Sequence, residues 1–319
     1  MRRWGYASLF FLAGACLVAL VLWRSGLDWE AVSRTAAGAH PGLLVLALAL
    51  FLGPYLLSAL KWRLVTEAQS DERLGLFFYL RYVALSVALG QLVPISFANA
   101  SVRAVALKRR EVMPVTKTTA LFLWDQGFDF GALALLLAVG LLYLYAGLSF
   151  PAAAGAYLAG VALVLGLMPI WTRLVAGTAR LLSRRRLPAV VADKLSALSE
   201  ANILKVSVAR RLFALACCKA LSGALVYTAI IWALGRGGML AAAFWGAPSA
   251  EMAGVLSQMP GGLGALDLTW VGLLSSNGLT AAAAAGVTLG IRCVLLAGNM
   301  LLPALIWGPY VLLARPRGN

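Results

Sequence analysis

The stretch QMPGGLGALD, residues 258–267, lies inside a long apolar region of the sequence. It contains one proline, three glycines and one carboxylate, and all of these are poor residues for the middle of a membrane helix. A break in the helix at membrane depth is tolerated only where protein or water satisfies the exposed backbone groups. The stretch therefore predicts an interrupted membrane helix that lines a polar space.

The composition of the whole chain is that of a multi-pass membrane protein. Of its 319 residues, 62% are hydrophobic, whereas a soluble domain is nearer half apolar. Its net charge is +15, which we attribute to basic cytoplasmic loops rather than to a nucleic-acid partner. Such loops can also hold anionic lipid headgroups.

Hydropathy predicts an all-α polytopic membrane protein that forms a single transmembrane domain over residues 1–319. Between the spans, residues 24–41 are predicted to form a short interfacial helix, and residues 172–211 an amphipathic helix on a membrane surface. The six predicted full spans, each close to the roughly 20 residues that cross a bilayer, are 5–23, 42–60, 117–146, 152–171, 212–235 and 281–312. Two further apolar stretches are interrupted, 76–107 at Pro94 and 239–275 at Pro260.

The distribution of basic residues predicts how the interrupted stretches run. Residues 173–219 carry ten lysines and arginines, and 108–110 are all basic, so both should be cytoplasmic. Lys61 and Arg63 are assigned to the cytoplasmic side by the same rule. A single crossing by 76–107 would place the 108–110 cluster outside. A re-entrant hairpin that enters from the cytoplasm keeps every basic cluster and both termini inside.

By the same reasoning 239–275 is a hairpin that enters from the outside, and the chain becomes an inverted repeat. Residues 5–146 and 152–312 each contain two spans, a hairpin and a span. Pro260 follows Pro94 by 166 residues (260 − 94). Inverted repeats with broken helices that meet near the midplane are typical of secondary transporters. In the alternative interpretation, the prolines only kink long tilted helices.

Ionisable residues inside apolar segments are costly and mark candidate sites. Asp125 and Asp129 are four residues apart and share a helix face, where they can accept a proton, bind a cation or pair with Arg81 or Arg292. Arg103 suits a lipid phosphate, or else it reaches to the interface as Lys219 does. The alternative for the whole group is a set of buried ion pairs that fasten helices together. The predicted substrate-binding residues are Arg81, Pro94, Asn99, Arg103, Asp125, Asp129, Glu251, Pro260, Gly261, Gly262, Gly264, Asp267 and Arg292.

Motifs of soluble enzymes are missing from the sequence. It has no P-loop, no zinc motif and no histidine-based triad, since His40 is the single histidine. The four cysteines lie in apolar segments and are expected to be buried small side chains. We therefore expect no metal and no cofactor.

Two motifs resemble the signatures of the lysylphosphatidylglycerol synthase transmembrane-region family. The first is LVPISFANASVRAVALKRREVMPVTKTTALFLWDQGFDF, where Pro94, Arg103, the 108–110 cluster and Asp125 match. The second is LSQMPGGLGALDLTWVGLLSSNGLTAAAAAGVTLGIR, where Pro260, three glycines, Asp267 and Arg292 match. The resemblance spans about residues 5–312. Ala98, Asn99 and Ala100 stand where the family often has Gly-Gly-Asp/Glu, so the first cavity wall is less acidic than usual. The family's Asp/Glu-Arg pair is Asp125-Gln126 here.

The resemblance implies a lipid flippase-like transporter in the bacterial cytoplasmic membrane. The family includes the flippase half of a bacterial peptide-resistance factor, which moves aminoacylated phosphatidylglycerol between leaflets. The implied partner is a membrane lipid with an anionic, aminoacylated, glycosyl or polyprenyl headgroup. Two alternatives remain: a non-transporting scaffold for an envelope-lipid synthase, and an integral-membrane enzyme that acts on lipid headgroups.

Overall fold

The structure, a computed structural model, describes residue 33 and residues 37–183 and 205–313. Side chains are described only up to residue 174 in the helix that ends at Ser183, and only up to residue 307 in the helix that ends at Leu313. The predicted span 5–23 and most of the predicted interfacial helix 24–41 lie outside these residues. The regular secondary structure of the described residues is entirely helical. Its helices are α1 (Pro41–Leu50), α2 (Leu52–Glu67), α3 (Leu76–Leu89), α4 (Ile95–Lys108), α5 (Val115–Ala146), α6 (Phe150–Ser183), α7 (Val206–Ala233), α8 (Leu240–Leu256), α9 (Ala265–Ser276) and α10 (Ala281–Leu313). Short 3₁₀ turns at Gly237–Met239 and Pro260–Gly262 flank α8.

Six segments of the described chain are long and apolar enough to cross a membrane. Five of them contain most or all of a predicted span. The sixth, Gly237–Leu256, is the first arm of the second interrupted stretch, so by length that arm alone can cross a bilayer. The six segments are Pro41–Glu67, Val115–Ala146, Phe150–Leu174, Val206–Ala233, Gly237–Leu256 and Ala281–Trp307.

Both predicted breaks are present. Helices α3 and α4 are separated at residues 90–94, and α8 and α9 at residues 257–264. The two helices of each pair pack against each other, which the arms of one kinked helix do not do. At the second break the backbone φ is +58° at Gly261, +66° at Gly262 and +81° at Gly264. Only glycine adopts this left-handed region without strain, so the glycines set the shape of the turn.

Helix α7 is the centre of the fold. Its most apolar window is 56% buried, the largest share among the six segments, and it packs against α1, α2, α5 and α8. Gly140 of α5 lies directly against the Trp245 carbonyl of α8, so these two helices approach closely because Gly140 has no side chain. Helix α6 is peripheral, with 17% of its window buried. Its exposed apolar side chains are those expected to face lipid.

The predicted surface helix at 172–211 is wrong in its described part. Helix α6 continues without interruption from Phe150 to Ser183, through Pro169, and α7 already begins at Val206. The apolar residues that follow Trp171 extend the spanning helix instead of starting a new one. Residues 184–204 lie outside the described chain.

Candidate functional site

A cavity of about 320 Å³ lies among α2, α3, α4, α5, α7, α8 and α10, and both helix breaks contribute to its wall. A second cavity of about 140 Å³ adjoins it, and the two share Gln126, Lys219, Gly223 and Glu251 in their walls. The combined space is at the lower end of the range typical of ligand pockets. It has room for a polar headgroup but not for a whole lipid.

The two helix breaks contact each other at the edge of the larger cavity. The Gly261 amide donates a hydrogen bond of 2.8 Å to the Gly90 carbonyl oxygen. The Ser96 hydroxyl donates to the side-chain oxygen of Gln258. A Cβ at Gly261 would lie 2.9 Å from Oε1 of Gln91, so the close approach depends on glycine. The contact joins the two interrupted segments, which are far apart in sequence.

Arg292 and Asp267 form a buried pair beside the second break. The Nε and Nη2 groups of Arg292 donate to the two carboxylate oxygens of Asp267 at 3.1 and 2.6 Å, a bidentate arrangement. Its Nη1 group donates to the Gly261 carbonyl oxygen at 2.6 Å. Asp267 also accepts the Gly264 amide at 2.9 Å, at the start of α9. The carboxylate therefore both caps that helix and orients the guanidinium toward the cavity.

On the other side of the cavity, five charged side chains form a continuous chain of ion pairs, which we call the ion network. Arg103 contacts Asp125 at 2.6 Å, and Lys61 contacts the same carboxylate at 2.8 Å. Lys61 also pairs with Asp129, which in turn pairs with Lys219 at 2.7 Å. The side chains of Lys61 and Asp125 are each only 1% exposed, whereas that of Lys219 is 32% exposed. Both ends of the ion network, Arg103 and Lys219, thus line the larger cavity, while its middle is buried in the protein interior.

Aromatic rings hold two arginines in different places. The guanidinium of Arg103 lies 5.3 Å from the ring centres of both Trp62 and Phe122, which supports it as it reaches Asp125. Arg81 packs instead against aromatic rings away from the cavity, including Trp307 at 5.4 Å.

Glu251 of α8 faces both cavities. Within the described residues it makes no ion pair and no hydrogen bond, unlike the other carboxylates of this region. A Cβ at Gly223 of α7 would lie 2.5 Å from its Oε1 atom, so the absence of a side chain at Gly223 provides the space that Glu251 occupies.

Six predicted site residues line the larger cavity: Asn99, Arg103, Glu251, Gly261, Gly262 and Arg292. Asp125 and Asp267 lie behind this wall and hold its arginines, and the Gly264 amide donates to Asp267. Asp129 lines the smaller cavity. Pro94 and Pro260 shape the breaks but do not line the cavities. Arg81 lines neither of these two cavities.

Two residues of the site were assigned elsewhere by sequence. Lys61 was placed with the cytoplasmic basic residues, but it is fully buried and bridges Asp125 and Asp129. Lys219 was placed near an interface, but it lines both cavities. The signal for Lys219 is its position inside an apolar span. The signal for Lys61 is the neighbouring pair of Arg63 with Glu67, which are four residues apart. Because Lys61 lies on another face of the same helix, it has no such local partner.

The fold and the site together define a multi-pass membrane protein with a charged cavity between its helices. Residues 10–302 match the family described as the lysylphosphatidylglycerol synthase TM region, and the chain belongs to that family. A comparison with curated proteins finds no match. Membership of this family connects the chain with membrane lipids.

Proposed function

We propose that this protein is a flippase-like transporter that moves a lipid with a polar or charged headgroup between the leaflets of the bacterial cytoplasmic membrane. The headgroup would occupy the cavity while the acyl chains stay in the surrounding lipid. The supporting observation is that the cavity wall carries Arg103, Lys219, Glu251 and Arg292 within a bundle of membrane helices. Charges at this depth are costly and mark substrate or ion pathways.

The pairing of these charges supports a binding role. Arg292 uses three donor groups on Asp267 and the Gly261 carbonyl. A guanidinium has five N–H donors, so the pair fixes the arginine in position and leaves donors for a phosphate. Because Asp267 already holds the guanidinium in place, little conformational entropy is lost when the phosphate binds. Arg103, held by Asp125 and two rings, would act in the same way on the opposite wall.

The contact between the helix breaks suggests how access changes. The bond from the Gly261 amide to the Gly90 carbonyl and the contact of Ser96 with Gln258 close one edge of the cavity. In the proposed mechanism 76–107 and 239–275 are re-entrant hairpins from opposite sides, and each belongs to one half of an inverted repeat. Rocking of these halves would separate the breaks and expose the cavity to the other leaflet.

The test is lipid translocation in liposomes that contain the purified protein. Fluorescent phosphatidylglycerol, aminoacylated phosphatidylglycerol and phosphatidylethanolamine are placed in both leaflets, and an impermeant quencher reports movement to the outer leaflet. We expect faster movement of at least one of these lipids, and a loss of at least tenfold in Arg292→Gln. Arg210→Gln is the matched control, because Arg210 is exposed and contacts only the Leu165 carbonyl among the described residues.

Two outcomes would contradict the proposal. Movement no faster than in protein-free liposomes, for all lipids, would favour the scaffold. Chemical conversion of the labelled lipid would favour the enzyme. An equal rate in Arg292→Gln and Arg210→Gln would remove Arg292 from the transport site.

A further inference from the structure

The charges around the cavity balance only when Glu251 is included. Arg292 and Asp267 form a neutral pair. The ion network contains three cations and two carboxylates, so it carries one positive charge in excess. Glu251 lies beside its exposed end and shares both cavity walls with Lys219. An ionised Glu251 therefore makes this buried group neutral while the cavity holds no charged ligand.

Lys219 is the most exposed member of the ion network, and so the member that a ligand in the cavity reaches most easily. Its side chain is 32% exposed, whereas Lys61 and Arg103 are 1% and 6% exposed. Its ammonium donates to Asp129 at 2.7 Å. An ammonium has three N–H donors, so Lys219 keeps donors for an anionic group in the cavity.

The groups that face Glu251 from the neighbouring helices are few. Helix α8 packs against α5, α7, α9 and the two 3₁₀ turns. From α7 come Lys219 and Tyr227, and from α5 comes Asp129. Asp267 of α9 is directed to Arg292, which lines the same cavity from α10. The turns Gly237–Met239 and Pro260–Gly262 have no ionisable side chain. An anion bound at Lys219 would share that cation with Glu251.

We propose that Glu251 is a proton-binding site and takes up a proton when an anionic lipid headgroup binds at Lys219. This inference rests on the proposed function, since it assumes that headgroups enter the cavity. Two negative charges next to one ammonium are unfavourable where water is scarce, because little screening is available. The carboxyl group is neutralised instead, as buried ionisable groups usually are. The ion network, the neutral Glu251 and the bound anionic headgroup then have the same total charge as the ion network and the ionised Glu251 had before binding.

The linkage has a consequence for transport. Each anionic lipid that enters the cavity takes a proton with it, so the loaded and the empty cavity have the same charge. A zwitterionic headgroup brings its own positive charge and needs no proton. Movement of anionic lipids would thus respond to a pH difference across the membrane, and movement of zwitterionic lipids would not.

The experiment measures proton uptake on binding, without transport. Dihexanoyl phosphatidylglycerol is titrated into the detergent-solubilised protein at pH 7 by calorimetry, in two buffers with different ionisation enthalpies. The difference in heat gives the number of protons taken up. We expect a net uptake of up to one proton in the wild type and none in Glu251→Gln. Glu67→Gln, in which a carboxylate paired with Arg63 at the end of α2 is changed, should behave as the wild type.

Three results would overturn the inference: no proton uptake in the wild type, equal uptake in Glu251→Gln, or no binding of this anionic lipid. Dihexanoyl phosphatidylethanolamine should bind without uptake if it binds, and equal uptake with this zwitterionic lipid would also count against the inference. Translocation in liposomes is scored separately. If lipids move but no proton is taken up, the inference fails and the proposed transport stands.

Discussion

Replacing Lys61 by methionine tests whether the ion network holds the helices together. Methionine keeps most of the length of the side chain but removes the ammonium. In the structure that ammonium contacts Asp125 at 2.8 Å, its backbone carbonyl at 3.4 Å, and the carboxylate of Asp129. After the change Arg103 is the cation that Asp125 keeps and Lys219 is the cation that Asp129 keeps. Two carboxylates that were each held by two cations then have one cation apiece.

The expected decrease in the free energy of unfolding follows from this geometry. Removing one partner of a buried ion pair costs about 3–5 kcal/mol, because the remaining charge stays buried without compensation. Here each carboxylate retains a second cation, and Asp129 is 17% exposed. We therefore expect Lys61→Met to lower the free energy of unfolding by about 3 kcal/mol, at the lower end of that range.

The assay is reversible unfolding in mixed micelles with increasing sodium dodecyl sulfate, followed by tryptophan fluorescence. Lys117→Met is the matched control, because Lys117 is half-buried and its ammonium contacts only the Gln69 carbonyl among the described residues. This control should lose about 1 kcal/mol or less. The double variant Lys61→Met with Asp129→Asn removes one charge of each sign. Its decrease in the free energy of unfolding should be smaller, by at least about 1 kcal/mol, than the sum of the decreases in the two single variants. A Lys61→Met loss no larger than that of Lys117→Met, or strict additivity in the double variant, would refute the reasoning.

Three further predictions concern the helix breaks, the space for Glu251 and the topology. Gly261→Ala should lower the free energy of unfolding by about 1–2 kcal/mol, because φ is +58° there. Gly272→Ala is the control, because Gly272 lies in a helix with open space around it, and it should be neutral or stabilising. Equal effects of Gly261→Ala and Gly272→Ala in thermal unfolding would contradict this prediction. Gly223→Ala should displace Glu251 and slow lipid movement in liposomes several-fold, whereas an unchanged rate would mean that the position of Glu251 is unimportant. In a cysteine-free background, Lys108→Cys should react with an impermeant thiol reagent only from the cytoplasm and Asn277→Cys only from outside; reaction of both from one side would exclude the two hairpins.

The fold could be predicted from the sequence where its causes are local. The apolar lengths of 42–60, 117–146 and 281–312 were enough to predict helices, because a bilayer demands about 20 apolar residues. Pro94 and the glycines after Pro260 predicted the breaks, because proline lacks an N–H group and these glycines adopt positive φ. Where α6 ends could not be predicted in this way. Basic residues begin at Arg173, yet the helix continues to Ser183.

The partners of the charged residues could not be predicted, because pairing depends on how helices are rotated against each other. Asp125 was expected to pair with Arg81 or Arg292 if it paired at all. It pairs with Arg103 and Lys61 because α2, α4 and α5 bring these side chains to one place. The Asp267–Arg292 pair was within reach of sequence reasoning, since both residues lie in one motif. Lys61 was missed because it directly follows the predicted span 42–60 and lies two residues before Arg63, a pattern typical of a cytoplasmic loop.

The most direct test of the central claim is to block the cavity of a folded protein and measure lipid movement before and after. Ser58 lines the larger cavity, and Ser149 is exposed between α5 and α6. Each is changed to cysteine in a cysteine-free background, modified with a bulky methanethiosulfonate reagent in liposomes, and then released with a reducing agent. If headgroups pass through the cavity, modification of Ser58→Cys stops lipid movement, reduction restores it, and Ser149→Cys is unaffected. Unchanged lipid movement in fully modified Ser58→Cys would contradict the account.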